Sequence, residues 1–144
     1  MQKIINLYNI IFINFHKYTK DLFLLFARLY VADAFLRSGI SKFQNWDTTL
    51  YLFESEYQVP FIHWELAAYM ATIGEIVLPI LLILGVFNRI VALKLSALNI
   101  IAVVSYPILW QQGFYDHKVW GALMLVSVIY GAGRFSIDNL LKIK

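Results

Sequence analysis

Cysteine is missing from all 144 residues, which excludes disulfides, thiolate metal sites and dithiol redox chemistry carried by the chain itself. Any electron transfer would have to run through a borrowed cofactor. Charge is scarce too: Asp, Glu, Lys and Arg make up 15% of the residues, against about 25% in an average soluble domain. A net charge of +3 is too small to suggest a nucleic-acid partner. The GxGxxG, P-loop, HExxH, CxxC and GxSxG patterns of common enzymes are absent, as are internal repeats and low-complexity segments. What fills the chain instead is apolar: 60% hydrophobic residues, 17% aromatic ones and a mean hydropathy of +0.66. Length and composition together predict one membrane domain over residues 1–144.

A spanning helix needs about 20 mostly apolar residues. Stretches of that kind lie near 21–39, 66–87, 90–109 and 119–137, the first being the least apolar. The fold expected is an all-α integral membrane protein, a four-transmembrane-helix bundle with a short periplasmic interfacial helix. Residues 4–15 are apolar for only some three turns and carry Asn6, Asn9 and Asn14, which suits an interfacial position. The N-terminus lacks the pattern of a cleavable signal peptide, so the first spanning helix is expected to act as the targeting signal. Continuous apolar runs point to the bacterial inner membrane, because outer-membrane barrels alternate over segments of about 10 residues.

Eight of the twelve basic residues, Lys3, Lys17, Lys20, Arg89, Lys94, Arg134, Lys142 and Lys144, fall on one side of such a bundle. Arg37, Lys42 and Lys118 fall on the other, among Asp47, Glu54, Glu56, Glu65 and Asp116. The positive-inside rule then puts both termini in the cytoplasm and the 37–65 connection outside. That connection holds Trp46, Tyr51, Phe53, Tyr57, Phe61 and Trp64, and residues 46–56 read as a short amphipathic helix. It would anchor Trp46, Tyr51 and Phe53 in the outer leaflet, or form a lid over a site between the helices below. Val59-Pro60 breaks it before the second span.

Three charges, Arg28, Asp33 and Glu75, fall inside the spans. Each costs at least about 2.5 to 3.5 kcal/mol at the bilayer centre, so it should face the bundle interior and find a partner. Arg28 and Glu75, placed at similar depth on successive helices, are expected to pair. Asp33 and Arg37 stand one turn apart near the surface. The Arg28/Glu75 centre reads either as a structural clamp or as a seat for a polar head group or quinone carbonyl, with Arg28 donating hydrogen bonds and Glu75 orienting it or exchanging a proton. Pro79 removes the amide that would bond the Glu75 carbonyl and reads as structural. Asp116 and His117, flanked by Trp110, Tyr115 and Trp120, suit proton transfer or ligand-gating contacts. His63 and Glu65 are the other potential ligands on that side and lack the spacing of a metal site, so no metal is expected.

Arg28, the exit Phe35-Leu36-Arg37-Ser38-Gly39-Ile40-Ser41-Lys42-Phe43, the stretch from Glu75 through Pro79 and Gly85 to Arg89, and the ending Gly133-Arg134-Phe135-Ser136-Ile137-Asp138 resemble the DoxX family of small four-helix bacterial membrane proteins. The likeness runs from about residue 22 to 141. It implies a membrane subunit linked to quinone-dependent sulfur oxidation and to redox or stress-response complexes, and it places Arg28, Lys42, Glu75 and Arg89 among family-like positions. Arg28, Glu75, Lys42, Asp33, Asp116 and His117 are the residues expected to bind a ligand, with Pro79 and Arg89 structural. No cofactor intrinsic to the chain follows from this. A quinone or lipid ligand, the bilayer, redox protein partners and further copies of the chain are the partners to consider. The competing reading is a non-catalytic scaffold in which the same charges only lock the bundle. A small-solute transporter would call for paired repeats or unwound helix pairs, which the sequence does not show.

Overall fold

The computed structural model describes residues 2–110 and 113–143; the side chains of Lys3, Asn6, Asn14, Lys17 and Trp110, and all of Lys144, lie outside the described residues. Among the described residues every regular element is helical: α1 Gln2–Gln44, α2 Trp46–Ser55, α3 Trp64–Leu84, α4 Asn88–Ser105, a 3-10 turn Pro107–Trp110, α5 Phe114–Tyr130 and α6 Ile137–Leu140. α1 packs against α3 and α5, and α4 against the same two, so the four long helices close a ring. α2 lies on α3. Val31, Ala32, Phe35, Leu82, Leu95 and Met124 fill the centre of the ring.

The first expected span begins far earlier than residue 21, because neither glycine nor proline occurs before Gly39 to interrupt helix propagation. α1 is one helix of 43 residues. At 1.5 Å per residue it is about 64 Å long, twice the thickness of a hydrocarbon core. Ile5, Tyr8, Phe12 and Phe15 are exposed on its N-terminal half. The last expected span is also corrected. α5 stops at Tyr130, where Gly131 at φ 76° turns the chain, and residues 131–136 run back as an irregular segment. α3 ends in the same way, with Gly85 at φ 66° and the Val86 amide bonded to the Leu81 carbonyl, a Schellman-type cap.

α3 and α4 are long and apolar enough to cross a membrane. α1 carries Arg28, Asp33 and Arg37 within its most apolar region, and α5 has 17 residues opening on Asp116, His117 and Lys118, so neither meets the same test. Beside the apolar centre, the ring buries several polar side chains and exposes many apolar ones, unlike a soluble domain. Arg28, Thr72, Glu75, Asn88, Asn99 and Ser127 are buried, while Ile73, Val77, Ile80, Leu93, Ile100 and Val104 are exposed. Such an apolar outer surface demands an apolar solvent.

Phe53 departs from its expected place in the outer leaflet: it is buried against Ala67 and Ala68. Of the three aromatic anchors, Tyr51 is exposed and Trp46 is half-buried with its ring against Tyr69.

Candidate functional site

Arg28 and Glu75 do not meet. Gly39 of α1 lies against the backbone of Glu75, close enough that a Cβ there would sit 2.9 Å from the Glu75 carbonyl carbon. Arg28 stands eleven residues earlier, about 16 Å away along α1. The two charges therefore occupy different levels of the bundle, and each has another partner.

Arg28 is fully buried and caps the end of α3. Its Nη1 donates to the Leu82 and Ile83 carbonyls at 3.1 and 3.2 Å, and its Nη2 donates to the Phe135 carbonyl. Carbonyls of a helix's last turn lack the amide of a following turn; Leu82 accepts from the capping Gly85 amide at 3.2 Å as well as from Arg28, and a cation there also complements the helix dipole. Asp138 provides the opposite charge. Its carboxylate accepts from the Phe87 and Asn88 amides at 2.8 Å each, capping the start of α4. The 131–138 segment is thus tied to the α3–α4 corner from both sides. Asp138 lies just past the span expected to end at residue 137 and stood out only as part of the Gly133 to Asp138 ending. A buried guanidinium seeking a counter-charge was the signal that could have found it.

Glu75 pairs with Lys42. Nζ of Lys42 reaches Oε2 of Glu75 at 2.6 Å and Oγ of Ser38 at 2.7 Å, with the two charged side chains only 17% and 8% exposed. Lys42 belongs to the last turn of α1, where a cation suits the helix dipole. Gly39 allows the two backbones to come near enough for this short reach. The helix of Glu75 continues through the buried Pro79 to Leu84.

The pair opens into a cavity of about 290 Å³ between α1, α3 and α4. Its walls are largely apolar, built by Met70, Ala71, Leu98, Ile101 and Ala102. Ser105, at the end of α4, is 1% exposed and lines the cavity with an Oγ that has no hydrogen-bond partner among the described residues. Buried hydroxyls are normally hydrogen-bonded, so this one can donate to a group that enters the cavity. Phe53, Tyr57 and Tyr106 form a three-ring stack over the cavity, with centroids 4.5 and 4.6 Å apart. The Gln58 amide fastens this roof to the Ser105 carbonyl at 2.8 Å, and the Tyr106 hydroxyl donates to Glu56 at 3.0 Å. Burial, followed by the neighbouring Tyr106, Glu75 and Glu56, pushes the Tyr57 phenol up to about 12.

His117 reaches the cavity from α5. Its Nδ1 lies 2.7 Å from Oδ1 of Asn99, whose Nδ2 donates to the His117 carbonyl, so a buried amide on α4 sets the position of the imidazole. Asn99 was not singled out in the sequence, where a lone amide in an apolar run resembles any other polar interruption. Asp116, one residue away, is exposed. Asp33 and Arg37 form an exposed pair at 2.8 Å on the outside of α1, away from the cavity. Arg89 donates to the Val128 and Ile129 carbonyls at the end of α5, a helix-capping role. Of the residues expected to bind a ligand, Lys42, Glu75 and His117 thus share one cavity, while Arg28, Asp33 and Asp116 lie elsewhere. Among the described residues no three His, Asp or Glu side chains come together as metal ligands.

A family model described as DoxX matches residues 23–107, a region that contains both charges of the Lys42–Glu75 pair and Ser105. A protein of Haemophilus influenzae described as uncharacterized is 31% identical over 134 residues, covering 83% of this chain and 83% of its own. No solved structure matches the chain. With the matched model spanning more than half of its length and two helices apolar enough to cross a bilayer, the chain belongs to the DoxX family of membrane proteins.

Proposed function

We propose that this protein is a membrane subunit of a redox system that holds the head group of a quinone, or of a similar amphiphile, in the cavity beside Lys42 and Glu75. The observation that carries the reading is the composition of that cavity: a buried ion pair and an unpartnered Ser105 hydroxyl within apolar walls. An apolar pocket with a few convergent polar groups is the usual form of a small-molecule site. The residues suit a quinone. Lys42 uses Ser38 and Glu75 as acceptors and has a further N–H for a carbonyl oxygen; Ser105 can donate a second hydrogen bond; Met70, Leu98 and Ile101 face the ring and tail. A quinone supplies the two-electron redox chemistry that a chain without cysteine cannot supply itself. Glu75 holds the Lys42 ammonium in place and is the group positioned to hold or release a proton at its Oε2.

In this reading α1, α3, α4 and α5 all span the bacterial inner membrane as one domain, with both termini cytoplasmic and α2 on the periplasmic side. The split of basic residues supports that orientation. The cavity then opens near the outer leaflet, with the 57–62 segment as its roof.

The test is extraction of the purified protein and mass-spectrometric identification of what it carries, with a soluble short-chain quinone titrated into wild-type protein and Ala71→Trp. Wild type should bind one equivalent saturably and Ala71→Trp, which fills the cavity, none. Equal partitioning into both proteins would refute the proposal.

A further inference from the structure

A second cavity, of about 500 Å³, lies at the opposite end of the ring, where α4 begins and α5 ends. Its wall includes Arg89, Arg134, Asn139 and the backbones of Gly131 and Gly133, with apolar surface from Phe87, Ile90 and Ile143. The acids here already have partners. Asp138 caps the start of α4 and faces Arg28, and Asp21 bonds both the Arg134 amide and its Nε at 3.1 Å each. The cations retain capacity. Arg89 commits Nη1 to the Val128 and Ile129 carbonyls, while its Nε and Nη2 lie over Gly131, which has no side chain to cover them. Arg134 engages Asp21 through Nε, and its side chain remains 53% exposed. Lys20 adds a third cation nearby, over the Tyr130 ring.

We infer that this cavity is a binding site for the phosphodiester head group of an anionic phospholipid. A guanidinium is the side chain whose planar donors match phosphate oxygens. The wall holds Asp21 and Asp138 as well as Arg89 and Arg134, but both acids are engaged within the protein. The donors left over are guanidinium N–H groups that fit such a head group at a bilayer surface, and the apolar flank formed by Phe87 and Ile90 suits the start of its acyl chains. The site uses neither Lys42 nor Glu75, so it stands apart from the proposed quinone cavity. Its ligand would brace the 131–138 segment against the ends of α4 and α5.

The experiment uses full-length protein, stripped of lipid in neutral detergent and titrated separately with dioctanoyl phosphatidylglycerol, dioctanoyl phosphatidylcholine and inorganic phosphate. Retention is read by native mass spectrometry and stabilisation by thermal unfolding. Phosphatidylglycerol should be retained as one saturable adduct and raise the melting temperature, whereas phosphatidylcholine should do neither. Arg134→Gln should weaken phosphatidylglycerol binding about five-fold, the effect of one cation at a membrane surface. Asn139→Glu should weaken it by about as much through repulsion. Because Asn139 is exposed and its bonds are made by its backbone, the amide donating to Ser136 Oγ and the carbonyl accepting from the Lys142 amide, that second variant should melt like wild type in detergent alone. Equal retention of phosphatidylcholine would overturn the inference. So would wild-type affinity in Asn139→Glu, or full stabilisation by inorganic phosphate at the lipid's concentration, which would put free phosphate in the site.

Discussion

Lys42→Met leaves Glu75 as a carboxylate that is 8% exposed and has lost the ammonium 2.6 Å away. Breaking a buried pair from one side typically costs about 3 to 5 kcal/mol. The 17% exposure of Lys42 lets some water reach the site, which places the loss at the lower end, about 3 kcal/mol. Glu75→Leu should cost less, about 2 kcal/mol, because the flexible lysine on the last turn of α1 can carry its charge outward to water. Replacing both partners removes both desolvation penalties, and Lys42→Met/Glu75→Leu should return to within about 1 kcal/mol of wild type. The cycle therefore predicts a coupling energy of at least about 4 kcal/mol, far above the few tenths seen between independent sites. Reversible unfolding in mixed micelles, with helix content as the readout, measures all four proteins under one condition. Additive losses would show that the ion pair carries no stability, and recovery of quinone binding in the double variant would remove the pair from the proposed site.

Gly39→Ala should lower stability by about 1 to 3 kcal/mol, since the new Cβ would sit 2.9 Å from the Glu75 backbone, which can yield only if α1 moves off α3; thermal unfolding checks this. Gly85→Ala should be worse, because a left-handed residue costs about 1 to 2 kcal/mol and the added carbon also drives into the Arg28 guanidinium and Ser136. Raised pH tests Tyr57: its phenol titrates at about 12 rather than 10.0, so the folded state holds this proton more tightly than the unfolded chain does. Stability from that group is intact below pH 10.0 and declines as pH rises toward about 12, and Tyr57→Phe should flatten the decline in unfolding measured across that window.

The helical character of the chain, the break at Val59-Pro60 and the short helix of residues 46–55 were legible because apolar runs and proline act locally. Family membership was legible from Arg28, the Phe35 to Phe43 exit and the Glu75 to Arg89 stretch taken together. Partnership between charges was not. Depth along a helix counts residues from an assumed boundary, and α1 passes straight through the boundary assumed at residue 21, so Arg28 and Glu75 were put at one level when they lie apart. Lys42 was recognised as a site residue but was placed outside the bundle, since the sequence cannot show that Gly39 draws the end of α1 onto Glu75. Ser105 and Asn99 carry no sequence signal of their own. Their meaning comes from what surrounds them: a hydroxyl without an acceptor in the cavity wall, and an amide locked to His117.

The central claim is that the Lys42–Glu75 cavity binds an amphiphilic head group, and photo-crosslinking with an azido-quinone in native membranes tests it most directly. Adducts should saturate with quinone concentration and map by peptide mass spectrometry to Ser38–Lys42 of α1 and to Ser105 and Tyr106 at the end of α4, which share the cavity wall. Unsaturable adducts spread over the exposed apolar positions Ile73, Val77 and Ile100 would contradict the account, since those side chains lie on the outer surface of the ring.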